Sequence, residues 1–353
     1  MKTVLPFILL FSLLLNACSE PDQPVFDWSA VPTDTLKDLS PIITFDDHQI
    51  ANPRDINILS SGNFLVLDYS SNKYHILSPD LETLYVFGGE GEGPGEFLSP
   101  RQVTEIDGNI FITDNNSTRI SRLDLQGEFL GSFLYETSAV ERDAAGLGDQ
   151  EYVSVTNGAD GSLFKYSDLD DGVSIHFGFV PGGAYSFPDI EKGARQLKAR
   201  EIPDFMKNNV LLMADEDHIY SHYLALSMQL VYDHDGMQTD SFKVHLPYLN
   251  ELFAMYREQA DASSADRGFP ILPVIEYIWD MYITPDSYWY LTKATMKIPQ
   301  QVVRYNKMGE PVHVYEIPRT EYYKGIVQLA VDEKRGKLYL VNYSNGRIFG
   351  AEI

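Results

Sequence analysis

PRDINILSSGNFLVLDYSSNKYHIL (residues 53–77) and PRQVTEIDGNIFITDNNSTRISRL (residues 100–123) are two copies of one pattern. Each opens with Pro-Arg, alternates as a strand up to a turn ending in glycine (Gly62, Gly108), and runs through a second strand to an aspartate (Asp68, Asp114). A cation follows five residues later (Lys73, Arg119). Gly62 and Gly108 stand 46 residues apart, as do Asp68 and Asp114. A fixed period of this size marks a repeat architecture, in which one supersecondary unit recurs and buries its apolar faces against its neighbours.

Carried forward, the template finds Ser287, a strand closing on Thr292 and then Lys297, and after these Gly336, a strand reaching Asn342 and then Arg347. Two divergent copies lie between. One is EYVSVT from Glu151 with LFKY from Leu163, and the other is HIYSH from His218 with MQLVYD from Met228. Each copy reads as four short strands, the last being segments such as GEFLGSF (127–133) and GEPVHVYE (309–316). Period-two alternation with turns every 8 to 12 residues or so marks an all-β fold. Four strands in roughly 40 to 50 residues mark a propeller blade. The expected fold is an all-β, six-bladed β-propeller of four-stranded blades.

Three details complete that expectation. Little chain follows GRIFGAEI (346–353), so the outer strand of the last blade comes from near Pro41 to Phe45, and both chain ends share one blade. Two insertions, Asp189–Glu201 and Tyr248–Ala260, read as helices between blades. In the second, Leu249, Leu252, Phe253 and Tyr256 form one apolar stripe. Between about residues 138 and 243 the pattern leaves the blade boundaries open.

The stretch GGEGEGPGEFLSP (88–100), running into the second copy, resembles an NHL repeat. The start of the chain carries a second resemblance. Lys2, the apolar run Val4–Leu15, and Leu15-Asn16-Ala17-Cys18 read as a signal peptide ending in a lipobox, too short to span a bilayer permanently. Cys18 is the only cysteine, so no disulfide can form within the chain. Together these features resemble the six-bladed propeller lipoproteins of Bacteroidetes. The resemblance implies a lipid on Cys18, a signal peptide over 1–17, a tether over 18–40, the propeller over 41–353, and a place in the cell envelope at the outer membrane, on either side of it.

Composition narrows the partners. With 51 acidic against 27 basic residues the formal net charge is -24, and loss of Lys2 with the signal peptide makes it more negative still. Such a surface repels nucleic acid and anionic headgroups, so the membrane partner is reached through the N-terminal lipid alone. The remaining partner is a small molecule, a peptide or a protein.

No catalytic constellation emerges. The glycines between 88 and 95 are interrupted by Glu90, Glu92 and Glu96 and lead into a strand, which suits a crossing between blades and not a phosphate loop. Asp68, Asp114 and Asn342, with their cations, recur with the period and so read as structural ties between the second and third strands. His218 and His222 sit four apart on a strand, about 13 Å along it, too far to share one metal. No GxSxG elbow occurs. No cofactor is evident, and the catalytic residues stay unassigned. The candidate site is the channel mouth, where counting back from the first turn of each blade selects Arg54, Arg101, Trp279 or Asp280, and Gln328. Two arginines beside an aromatic suit a carboxylate, phosphate or sugar. The first reading is a binding module. The alternative implied by resemblance is a lactonase- or lyase-like propeller with a divalent cation held in the channel by acidic and amide groups.

Overall fold

The computed structural model describes residues 26–37, 39–137, 143–185 and 188–353. The signal peptide, Cys18 and the first part of the tether lie outside the described residues. Six four-stranded blades follow one another in a ring, the sheet of one of them extended by a fifth, parallel strand. Blade 1 comprises Pro53–Ile58, Phe64–Asp68, Lys73–Leu77 and Thr83–Gly88, and blade 2 comprises Pro100–Ile106, Asn109–Asp114, Arg119–Asp124 and Phe129–Leu134. Blade 3 is Ala144–Gly148, Glu151–Val155, Phe164–Asp168 and Val173–Phe177, and blade 4 is Val210–Ala214, His218–Tyr223, Met228–Asp233 and Gln238–Lys243. Blade 5 is Ile278–Ile283, Ser287–Thr292, Gln301–Asn306 and Pro311–Glu316. Blade 6 takes Ile326–Asp332, Lys337–Asn342 and Arg347–Glu352 from the end of the chain, and its outer strand, Ser40–Ile43, from the beginning. Ser40 faces Gly350 and Ile43 faces Ile348 across this antiparallel closure, which removes the free sheet edge that an open ring would leave.

The second strand of each blade lies between neighbouring blades on both faces. Phe64–Asp68 and Ser287–Thr292 are accordingly buried at every position, and their sequences read as continuous apolar runs. Leu65 and Tyr74 of blade 1 pack with Ile110 and Ile112 of blade 2 around Phe97, which the connecting loop supplies. Outer strands face solvent, as at Leu84, Tyr85 and Val86. At three seams an aromatic on the outer strand of one blade rests on a glycine in the next blade's last turn: Phe87 on Gly127, Phe177 on Gly236 and Phe242 on Gly309. A Cβ on Gly236 would lie 2.8 Å from the ring of Phe177, and one on Gly309 2.5 Å from that of Phe242, and both glycines have φ of +75°.

The two insertions are helices, Ile190–Lys198 and Leu249–Arg267. The second extends seven residues past Ala260, to Arg267. Its stripe is buried at Leu252, Phe253, Tyr256 and Ala260, while Asp189 caps the first by accepting from Lys192 N at 2.8 Å.

Ahead of the closing strand, Thr33–Thr35 lies parallel to the outer strand of blade 5, and Leu36 and Leu39 are buried. Two expectations need correction. The cation of blade 5 is misplaced: Thr292 Oγ1 accepts from Gln301 N at 2.9 Å, so a longer turn puts Gln301, not Lys297, at the start of the third strand. The recurrent aspartates do not tie the second strand to the third through their cations. Asp114, fully buried, accepts from the backbone N–H groups of Leu98 (2.6 Å), Ser99 (3.1 Å) and Asn116 (3.1 Å). Asp68 does the same for Asn52 N and Ser70 N. Each carboxylate thus pins its own turn to the strand entering the blade. Arg119 instead reaches back to the carbonyl of Glu92 at 2.7 Å and to that of Glu96, holding the glycine-rich crossing in place.

Candidate functional site

The innermost strands ring the channel, and four of them share a bulge. Register shifts between Pro53 and Asp55, Pro100 and Gln102, Ile278 and Asp280, and Ile326 and Gln328. A bulge leaves one residue unpaired and re-aims its side chain. That residue is Arg54, Arg101, Trp279 and Val327 in turn, and the next is Asp55, Gln102, Asp280 and Gln328. Counting from the turns therefore combined two layers one residue apart. Arg54, Arg101 and Trp279 share the mouth layer, whereas Asp280 and Gln328 belong with Asp55 and Gln102 in the layer below.

In the mouth layer, Arg54 lies with its guanidinium carbon 4.8 Å from the ring centre of Tyr343 and 5.3 Å from that of Tyr69. Tyr69 and Tyr343 follow Asp68 and Asn342 directly, so the turns those residues pin also set the two rings. Both rings are 43% exposed. Among the described residues the buried Arg54 Nε has no hydrogen-bond partner, and no carboxylate pairs with Arg54 or Arg101. Asp55, the acid nearest in sequence, accepts from Asn57 Nδ2 at 2.8 Å. Arg101 is exposed. Trp279 is also exposed and carries Lys293 Nζ 3.6 Å from its ring centre, with Lys293 paired to Glu276.

The lower layer is polar and confined. Gln102 Nε2 donates to the carbonyl of Leu212 at 2.5 Å, joining the inner strands of blades 2 and 4. Asp280 Oδ2 accepts from Leu329 N at 3.0 Å. Burial pushes the Asp55 carboxyl up to about 6 against the opposing bond from Asn57. Burial, with the charge of Asp55 added, pushes Asp280 up to about 8. Both keep part of their surface open to the channel. Burial thus favours the protonated form of Asp280. For a cation the channel offers these two carboxylates and the amides of Gln102 and Gln328. Among the described residues no group of three or more His, Cys, Asp or Glu is placed to hold a metal ion.

The histidines do not converge. His222 is buried in the seam of blades 4 and 5, with its ring centre 5.3 Å from that of Tyr290, and burial pushes it down to about 3. His218 lies 3.8 Å from Asp215 at the other end of the strand. The tyrosines at the mouth, the carboxylate at 55 and an apolar cleft between blades 3 and 4 escaped the sequence reading. A signal for the tyrosines existed, since each follows directly on the residue that closes a second strand.

The architecture and its ringed channel define a six-bladed β-propeller. No protein family model matches the chain, and no curated protein does. Among solved structures it is similar to a Bacteroides fragilis protein described as exported, at 10% identity, with 91% of this chain and 98% of that chain covered and a TM-score of 0.52. It is also similar to a member of the DUF4221 family from Bacteroides vulgatus (10% identity, 90% and 94% covered, TM-score 0.47). A third likeness is to virginiamycin B lyase from Staphylococcus aureus (9% identity, 89% and 99% covered, TM-score 0.46). At these identities the likeness is one of fold.

Proposed function

We propose that this protein is a lipid-anchored binding module of the bacterial cell envelope, whose channel mouth takes an anionic small molecule or the acidic end of a peptide or partner. One observation carries the reading: in a chain with 51 acidic residues, Arg54 has no carboxylate partner among the described residues and lies against two exposed tyrosines from different blades. Guanidinium donors flanked by aromatic faces suit a planar anion or an acidic sugar, because the rings pack against the ligand body while the fork binds its charge. Residues Arg101 and Trp279 extend the same layer around the opening.

The envelope location rests on the signal sequence and Cys18. Phe26, where the described chain begins, stacks against His245 with ring centres 5.3 Å apart. Replacing Cys18 with serine should release the protein from membranes.

A thermal-shift screen of acidic sugars, nucleotides and peptides tests the binding role. Acidic ligands should stabilise the wild type and lose that effect in Arg54→Ala/Arg101→Ala. Equal shifts in both proteins would overturn it.

A further inference from the structure

Away from the channel, a cleft of about 650 Å³ opens in the seam between blades 3 and 4. Its walls are apolar: Met228, Leu230 and Tyr232 from the third strand of blade 4, Leu226 from the turn before it, and Phe179 and Val180 from the chain leaving blade 3. Such a size and lining suit a small organic molecule.

One charged group breaks the apolar wall. Lys243 pairs with Met228, and Ser241 with Leu230, across the last two strands of the blade. Cross-strand partners project on the same face of a sheet, so Lys243 leaves on the face that carries Met228, Leu230 and Tyr232. Phe242, one residue away, goes to the other face and rests over Gly309 of blade 5. Burial pushes the Lys243 ammonium below its ordinary range. Among the described residues no carboxylate lies within ion-pair distance of it, although acids outnumber bases almost two to one. A cation held partly away from water at the rim of an apolar cleft, with no anion of its own, is complemented by an anion that carries an apolar body.

We infer that the cleft between blades 3 and 4 binds a hydrophobic carboxylate, with the aliphatic part against Met228, Leu230 and Tyr232 and the carboxylate on Lys243. This site is separate from the channel mouth and does not rest on the function proposed there.

Calorimetric titration of the purified protein with dodecanoate, dodecanol and dodecyltrimethylammonium isolates the two contributions. Dodecanoate should bind about tenfold more tightly than dodecanol, the effect of one charge-assisted hydrogen bond, and the ammonium compound more weakly than either. In Lys243→Met the preference for dodecanoate should vanish while dodecanol binding persists. In Arg54→Ala/Arg101→Ala it should remain, which separates this cleft from the mouth. Should the lysine variant fail to fold, the order of the three probes on the wild type still decides. Equal binding of dodecanoate and dodecanol, binding of neither, or a preference unchanged in Lys243→Met overturns the inference.

Discussion

Arg54 of blade 1 and Tyr343 of blade 6 meet at the channel mouth, with the guanidinium carbon 4.8 Å from the ring centre. They lie almost 290 positions apart in the sequence. The contact spans the seam between the first and last blades, and it exists because the ring closes.

That relationship predicts separable effects on binding and stability. Tyr343→Ala should weaken binding of any acidic ligand that Arg54 holds, since the arginine loses the ring that orients it. The cost in stability should be about 1 kcal/mol or less, the worth of an exposed cation–π contact. Titration calorimetry with denaturant unfolding checks both, and a large stability loss with unchanged affinity would make the tyrosine structural.

The channel carboxylates predict a pH dependence. Asp280 ionises near 4 when unfolded but is pushed up to about 8 in the fold. The folded state therefore binds the extra proton, and stability falls as pH rises from about 4 through about 8. Asparagine keeps a side-chain oxygen to accept the bond from Leu329 N and carries no charge. Asp280→Asn should match the wild type near pH 4 and melt higher at pH 8. A melting-temperature difference that stays constant across that range would contradict the assignment.

How much of this was legible depends on which interactions set each feature. The repeat was readable because Gly62 and Gly108, with φ of +82° and +70°, and the buried Asp68 and Asp114 are local necessities of each blade. The helices showed in the stripe from Leu249 to Tyr256. The mouth was displaced by one residue because a bulge shifts register without any mark in composition, so Gln328 was grouped with arginines although it lies with Asp55. The roles of the aspartates were misjudged because their partners are backbone N–H groups of the preceding connection, and backbone groups are the same in every sequence. The cleft at Lys243 was invisible because its walls come from two divergent repeats.

The seams predict which glycines resist substitution. Alanine at Gly236 or Gly309 would meet the rings of Phe177 or Phe242, whereas at Gly108, where φ is also positive, nothing lies within 4 Å. All three share the backbone penalty of roughly 1 kcal/mol, and the first two add about 1 to 3 kcal/mol of overpacking. Denaturant melts should rank Gly108→Ala well above both others in stability. An equal loss at all three positions would mean that the blades yield freely at their seams.

The closure makes the last prediction. Ile43 is 1% exposed and pairs opposite Ile348, whereas its neighbour Ile42 is half-buried and packs toward Gly350. The first is fully enclosed in the seam with blade 1, in a cluster with Ile56 and Phe64, whereas Ile42 only packs against the margin of that cluster. Ile43→Ala should therefore cost about 2 to 4 kcal/mol through lost burial and the cavity left behind, and Ile42→Ala clearly less. Because the strand joins the beginning of the chain to its end, weakening it should lower the whole transition together: calorimetry of Ile43→Ala should still show one cooperative peak, moved to lower temperature. Two peaks, one unmoved, would show that the blades melt in independent groups and that the strand at Ser40–Ile43 covers an edge without holding the ring.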